Sequence, residues 1–529
     1  MKASDRMNIR YQSLALAVLC VCGFFVTMPV YAQAPDAVPA GPLTLEQVLA
    51  LAETRSEAIG ISRAGIQRAE GEQVRARSGL FPQLSASASY DRALASEFAG
   101  LFDSVDSGTG TDDNAFADLP FGRSNTWRIN LTLSQNLYDS GRLRAQGKIA
   151  EAGRESAGLG LSTTRAQLMF DVAQAYYDAA LSDSLVRIAE ATREQAGATL
   201  RQTQAGFDAG TQPEFEVIRA RVARDSQSPV VIRQRANREV ALLRLKQLLD
   251  LPQDFDLQMS VSLEDDRLPP PPPFAARVAP FETLVPISDP VVAPLAAPAT
   301  PIPDRTVVNE AAATVRLREA SLQLTEAQRK PALTLNSTYA RIAYPSTVVF
   351  PTFDRSNWSV GASVSLPVLT GGRQRGDEQV ARAELEQARL QLRQTQELAD
   401  LDSRSTWAEL MAARATWEAS AGTIQQATRA FQIAEVRFRE GVSTQLELSD
   451  ARLLLQQAQA NRALAARDLQ VARARMALLP DLPLSGSTTS RPQQQVPQSA
   501  PPATPPRTNG PTLTNAAAQT GAGFQVGNR

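Results

Sequence analysis

The stretch LSQNLYDSGRLR, residues 133–144, begins with the every-second-residue alternation of a β-strand and ends as a helix would begin. A second version, VSLPVLTGGRQR, occupies residues 364–375. Working outward from this pair, a shift of 231 residues carries Trp127 onto Trp358, Gly141 onto Gly372, Arg142 onto Arg373, Phe207 onto Phe438, Gly210 onto Gly441 and Arg221 onto Arg452, without a gap. Upstream the shift becomes 249, pairing Pro82 with Pro331, Leu84 with Leu333 and Tyr90 with Tyr339. The difference falls between strands, where a loop absorbs it. The chain is two copies of one unit of roughly 200 residues.

The periodicity changes within each unit. Leu84, Ala86, Ala88 and Tyr90 alternate with Ser85, Ser87, Ser89 and Asp91, and Trp127, Ile129, Leu131 and Leu133 alternate with Arg128, Asn130, Thr132 and Ser134. In the second copy Leu333, Leu335 and Tyr339 alternate with Thr334, Asn336 and Thr338, and Trp358, Val360, Ala362, Val364, Leu366 and Val368 alternate mostly with Ser and Gly. These are four segments of about the 9 to 11 residues that cross an outer membrane. A soluble sheet alternates too. The polar second face in all four, with Trp127 and Trp358 at one place and Tyr90 and Tyr339 at another, favours a lipid face, a wet lumen and an interfacial aromatic belt. Four strands cannot close a barrel, so several chains must pool theirs, and three would give twelve.

Beyond each second strand the period becomes helical. Residues 142–207 contain no proline, enough for a helix roughly 100 Å long, and residues 373–438 match them. Ile424, Ala427, Phe431, Ala434 and Phe438, then Leu448, Ala451, Leu455 and Ala458, recur at coiled-coil spacing. Between such helices lie the turns 208–213 and 439–443. There Gly210 and Gly441 suit a left-handed helix end, and Thr211 and Ser443 or Thr444 suit a cap for the next helix. Pro229 predicts a kink or interruption in the first return helix.

Composition limits the function. The 54 basic and 55 acidic residues nearly balance, which argues against a nucleic-acid partner. The absence of His removes the usual neutral-pH base and the commonest metal ligand. No nucleophile, base and metal constellation is visible, so neither an enzyme nor a cofactor is expected. Lys2, Arg6 and Arg10 precede the apolar run LALAVLCVCGFFV, and Val30, Tyr31 and Ala32 suit signal peptidase, so residues 1–32 are expected to be removed with Cys20 and Cys22. No later run of 18 apolar residues occurs, leaving a soluble periplasmic protein or an outer-membrane barrel. The loop DSVDSGTGTDDN (103–114) lacks the acid spacing of a calcium loop.

The duplicated strand-to-helix motif, the two tip turns and the 231-residue shift resemble the TolC-type outer-membrane efflux proteins over about residues 43–484. The resemblance implies a mixed membrane protein, internally duplicated: a homotrimer with four transmembrane β-strands per chain in a shared twelve-stranded barrel, and a long periplasmic α-helical coiled-coil barrel. It implies a passive exit duct for tripartite efflux or type I secretion, seated in outer-membrane lipid and docked on a periplasmic adaptor (membrane fusion) protein and an inner-membrane transporter. The alternative is a periplasmic coiled-coil adaptor or scaffold. The family's entrance is narrowed by acidic side chains after the second tip turn, and the matching positions are Glu447 and Asp450, with Glu216 and Arg219 in the first copy. The tip residues Phe207, Gly210, Thr211, Phe438, Gly441 and Ser443 would serve adaptor docking, and Gly141, Arg142, Gly372 and Arg373 would form the strand-to-helix junctions.

On this reading the chain divides into a first periplasmic helix (43–82), a β-hairpin (83–141, outer loop 93–124) and a long helix with return (142–253). A Pro-rich linker at the tunnel midpoint (254–307) follows, expected to be extended rather than packed over 268–303. The second copy then supplies a helix (308–331), a hairpin (332–372) and a long helix with return (373–484), before a disordered tail (485–529).

Overall fold

In the computed structural model, which describes residues 41–94, 125–260, 263, 265, 267–283, 305–345, 351–353 and 355–485, the alternating segments form one antiparallel sheet. Its order is β1 (Gln83–Arg92), β2 (Asn125–Tyr138), β3 (Ala332–Ala343) and β4 (Arg355–Ser365). The signal segment, the loop at 103–114, residues 284–304 of the proline-rich stretch and the tail from 486 lie outside the described residues.

Directly opposed residues of an antiparallel pair share a face, so the register sorts the side chains. One face carries Leu84, Ala86, Ala88 and Tyr90 against Leu133, Leu131, Ile129 and Trp127, and continues through Leu335, Tyr339, Val360 and Val364. The other carries Ser85, Ser87, Thr132, Asn130, Thr334, Asn336, Ser359 and Ser363. β1 and β4 each pair on one side only, so each presents a row of unpaired backbone groups.

The helices are α1 (Leu45–Arg55), α2 (Glu57–Ser78), α3 (Arg142–Asp208), α4 (Glu214–Asp225), α5 (Gln227–Leu248), α6 (Pro272–Thr283), α7 (Thr306–Ala327), α8 (Arg373–Arg439) and α9 (Gln445–Leu478). None of the described helices is long and apolar enough to cross a membrane. α3 and α8 each run 67 residues. Gly141 and Gly372, both at φ 90°, turn the chain from strand to helix, a backbone conformation that glycine adopts without the steric cost of a Cβ. Asp139 secures the first junction, its carboxylate accepting from the Gly141 and Leu143 N–H groups (3.2 and 2.5 Å).

The first return helix is interrupted at Ser226, between α4 and α5. Pro229 sits in the first turn of α5, where it lacks an N–H for the Asp225 carbonyl and its ring crowds that carbonyl. α9 has no such proline and is continuous. The N-terminal helical stretch is also split, at extended Ser56 (ψ 122°), so that apolar α1 enters the core while α2 runs along α3. Thr44 and Gln47 close a capping box at its start.

The main core lies at mid-height of the long helices. It joins Val172, Tyr176 and Ala180 of α3, Leu245 and Leu249, Trp407 and Leu410 of α8, and Leu469 and Leu479 with residues of α1. Here the proline-rich reading needs correction. Prolines 269–271 lead into α6, whose first turn holds Pro272 and Pro273, and Phe274 and Val278, one turn apart, are buried in that core. Prolines bring no N–H groups but leave carbonyls to satisfy, and α9 supplies the donors: Gln470 Nε2 to Pro269 O (2.9 Å) and an Arg473 terminal nitrogen to Leu268 O (2.7 Å). At the far side of the linker, Arg305 donates to Asp402 (2.9 Å) and Leu482 O (3.1 Å), both ion-pair side chains being 5% exposed.

Candidate functional site

The helix ends remote from the sheet carry the candidate site. Both tip turns close alike. Gly210 (φ 72°) donates to Phe207 O and Thr211 N to Gly206 O, while Gly441 (φ 73°) donates to Phe438 O and Val442 N to Arg437 O. These bonds satisfy the carbonyls that end α3 and α8. The capping role expected in the first tip is not the one observed, while in the second tip one of the two expected residues caps. The Thr211 hydroxyl donates back to Gly206 O (2.9 Å) and the N-cap of α4 is Pro213, so Thr211 closes one helix and does not start the next. In the second tip Thr444, not Ser443, caps α9, accepting from Glu447 N.

Phe431, Phe438, Leu448, Ala451 and Leu455 pack as one cluster with Ala427 and Ala434, so the coiled-coil seam holds the second tip hairpin together. Phe438 is 8% exposed in that seam, whereas its counterpart Phe207 is 40% exposed.

The acidic residues separate by copy. Glu447 and Asp450, one turn apart on α9, are both exposed. Glu447 approaches Arg437 of α8 at 3.8 Å, and Asp450 makes no ion pair among the described residues. Near the N-terminus of α9, the helix dipole favours their negative charge. Glu216 is held within the chain. It pairs with Arg219 (3.5 Å), whose guanidinium also lies 4.8 Å from the Phe215 ring centroid. With the Gln445 amide nitrogen turned to Glu216, it donates to Glu216 Oε2 (2.8 Å) and to its carbonyl (3.0 Å), and the amide oxygen accepts from Ala220 N (3.0 Å). Gln445 is 2% exposed and ties the first tip to the second. Sequence reasoning missed it and Arg437. The available signal for Gln445 was an amide three residues before Leu448, on the seam.

At the sheet, the Tyr90 and Trp127 rings lie 4.8 Å apart and the Tyr90 hydroxyl donates to Asn125 Oδ1 (2.8 Å). Tyr339 opposes Trp358, and Trp358 Nε1 donates to Ser337 Oγ (3.0 Å). All four rings belong to the apolar face, and the Tyr90 hydroxyl and the Trp358 indole N–H carry the hydrogen bonds that suit interfacial aromatics. At the junctions, Arg142 donates to carbonyls at the end of α7, while Arg373 is exposed.

Residues 48–250 and 304–480 match the family described as outer membrane efflux protein. The chain belongs to that family. The interruption between the matched ranges coincides with the proline-rich segment. This outer membrane efflux protein is 25% identical over 430 residues to the pyoverdine export outer membrane protein OpmQ of Pseudomonas putida, across 78% of this chain and 81% of that one. Its fold is similar to the CmeC outer membrane channel of Campylobacter jejuni, with a TM-score of 0.63 at 16% identity over 83% of this chain and 86% of that one. It is also similar to VceC of Vibrio cholerae, with a TM-score of 0.63 at 17% identity over 82% and 96%. Family members are outer-membrane channel proteins with helical portions in the periplasm.

Proposed function

We propose that three copies of this efflux protein join edge to edge into a twelve-stranded barrel above a helical tunnel, forming a passive duct. The observation that carries this is the sheet: an apolar face with an aromatic band, a polar face, and two open edges at β1 and β4. Lipid cannot satisfy open edges, and closure against further copies does. The tips would dock on a periplasmic adaptor, with an inner-membrane transporter supplying the energy. Asp450, with Glu447 beside it, would ring the periplasmic entrance and favour cations there. A relative whose description is pyoverdine export favours efflux of a small molecule over secretion of a protein. The reading is tested by native mass measurement after extraction: a detergent-requiring particle of three chains is expected, and a monomer released without detergent would contradict it and favour a periplasmic scaffold.

A further inference from the structure

Arg142 and Arg373 follow matching junction glycines, but among the described residues only the Arg142 side chain has a partner. Arg142 Nε donates to Ala327 O (3.3 Å), and a terminal nitrogen donates to Gln328 O (3.2 Å) and Lys330 O (3.1 Å). A guanidinium thus closes the end of α7, where carbonyls lack intrahelical donors. The Arg373 side chain is exposed and makes no hydrogen bond or ion pair among the described residues.

The counterpart of that helix end is the end of α2. α2 and α7 are both 22 residues long, and their bounds correspond under the 249-residue shift, Glu57 to Thr306 and Ser78 to Ala327. The end of α7 is covered by α3, whereas no comparable packing of α8 on α2 occurs among the described residues. Of the matching carbonyls, Ser78 O already accepts from Phe81 N and Gln83 Nε2. Gly79 O, with Asn136 Nδ2 at 3.5 Å, and Phe81 O, with Gln83 Nε2 at 3.2 Å, each accept one side-chain donor and keep a second lone pair.

The sheet repeats the pattern. β2 pairs with β3, while β4 and β1 are edges. Moving β2 by 231 residues and β3 by 249 turns the pair Leu131 and Tyr339 into Ala362 and Tyr90, and Leu133 and Ser337 into Val364 and Ala88. Both derived pairs join residues of the apolar face, which a one-residue slip would not do.

We infer that an adjoining copy of this chain docks here: Arg373 clasps the Gly79 and Phe81 carbonyls at the end of the neighbour's α2, and β4 pairs with the neighbour's β1, Val364 opposite Ala88 and Ala362 opposite Tyr90. This rests on the trimer reading above and adds its register and its arginine clasp. The clasp takes two carbonyls where its within-chain template takes three, and it lacks a neighbouring hydroxyl. Ser140 Oγ donates to Pro331 O (2.5 Å), and Gly371 at the matching position has no hydroxyl.

The chain's cysteines are Cys20 and Cys22, both in the segment expected to be removed, and oxidation of the protein without introduced cysteines serves as the control for them. In the full-length protein purified in detergent, Ala88→Cys with Val364→Cys is expected to give a covalent trimer on oxidation, since facing residues lie roughly 4.5–5.5 Å apart. Leu84→Cys with Val364→Cys, four positions out of register and so about 13 Å apart, is expected to remain uncrosslinked. Arg373→Gln is expected to speed trimer dissociation about tenfold or more, as loss of hydrogen bonds from a charged donor implies, and Arg373→Lys to restore only part of the lifetime because its point charge lacks the guanidinium fork. A monomeric wild-type protein would overturn the trimer reading and this inference together. A trimer that crosslinks no better through Ala88 and Val364 than through Leu84 and Val364 overturns the register alone, and an unchanged lifetime for Arg373→Gln overturns the clasp.

Discussion

At the midpoint of the long helices, Asp171 of the first copy and Asp402 of the second stand at matching positions, as do Arg244 and Arg475. Their surroundings differ. Asp402 receives Arg305 at 2.9 Å and Arg475 at 3.6 Å. The residue matching Arg305 is Ser56; each is the extended N-cap of a 22-residue helix. Asp171 accepts from Gln167 (2.8 Å), and burial pushes its carboxyl above the ordinary 3.8, against the opposing pull of that bond and of Arg244. The two copies share the backbone site and the carboxylate, and the second carries a cation where the proline-rich linker rejoins the helices. The tips diverge likewise: Glu216 is paired within its own copy and bonded to Gln445, whereas Asp450 faces solvent.

The largest expected effect lies at the pair with the most complete partnership. Arg305→Ala leaves Asp402 buried with a weaker partner and should cost on the order of 3–5 kcal/mol. Thermal unfolding in detergent checks this, and a loss no greater than that from Asp171→Ala would erase the distinction between the copies. Next come Gly141→Ala and Gly372→Ala, which should each cost about 1–2 kcal/mol because both backbones are left-handed. Unequal costs would show that the junctions are not equivalent. At the tips, Glu447→Gln with Asp450→Asn should lower the cation over anion permeability ratio roughly threefold, a change in local potential of order kT, while Glu216→Gln should leave it nearly unchanged.

The smallest effect concerns Asp171. A raised carboxyl pKa means that the folded chain holds the proton more tightly than the unfolded one. The stability penalty is therefore full above the folded pKa and relieved as pH falls toward 3.8. Asp171→Asn should raise Tm by at most about 2 °C at neutral pH, with the gain fading in acid. A gain that grew as pH fell would contradict the assignment.

The sequence exposed what is periodic. Alternation from Leu84 to Tyr90 falls within β1, where successive residues point to opposite faces of the sheet, and the 3-4 spacing from Ala427 to Phe438 falls on the seam of α8, where one packed face imposes one period. It concealed what arrives from elsewhere in the chain. Arg305 meets Asp402 and Arg142 meets Ala327 across long sequence separations that no local pattern encodes. The proline run misled for a related reason: composition reports missing donors, but not that Gln470 and Arg473 of a distant helix serve the freed carbonyls. At the candidate site, Glu447 and Asp450 follow from the resemblance, counted from Gly441, and Glu216 with Arg219 is a local i,i+3 pair, whereas the hydrogen bonds that Gln445 makes to Glu216 depend on how two tips meet.

That three chains enclose one duct is tested most directly by planar lipid bilayer recording of the purified protein. Discrete, stable conductance steps are expected, with cation preference reduced roughly threefold in the Glu447→Gln, Asp450→Asn variant. A protein that inserts or binds at the bilayer but never conducts would contradict the duct.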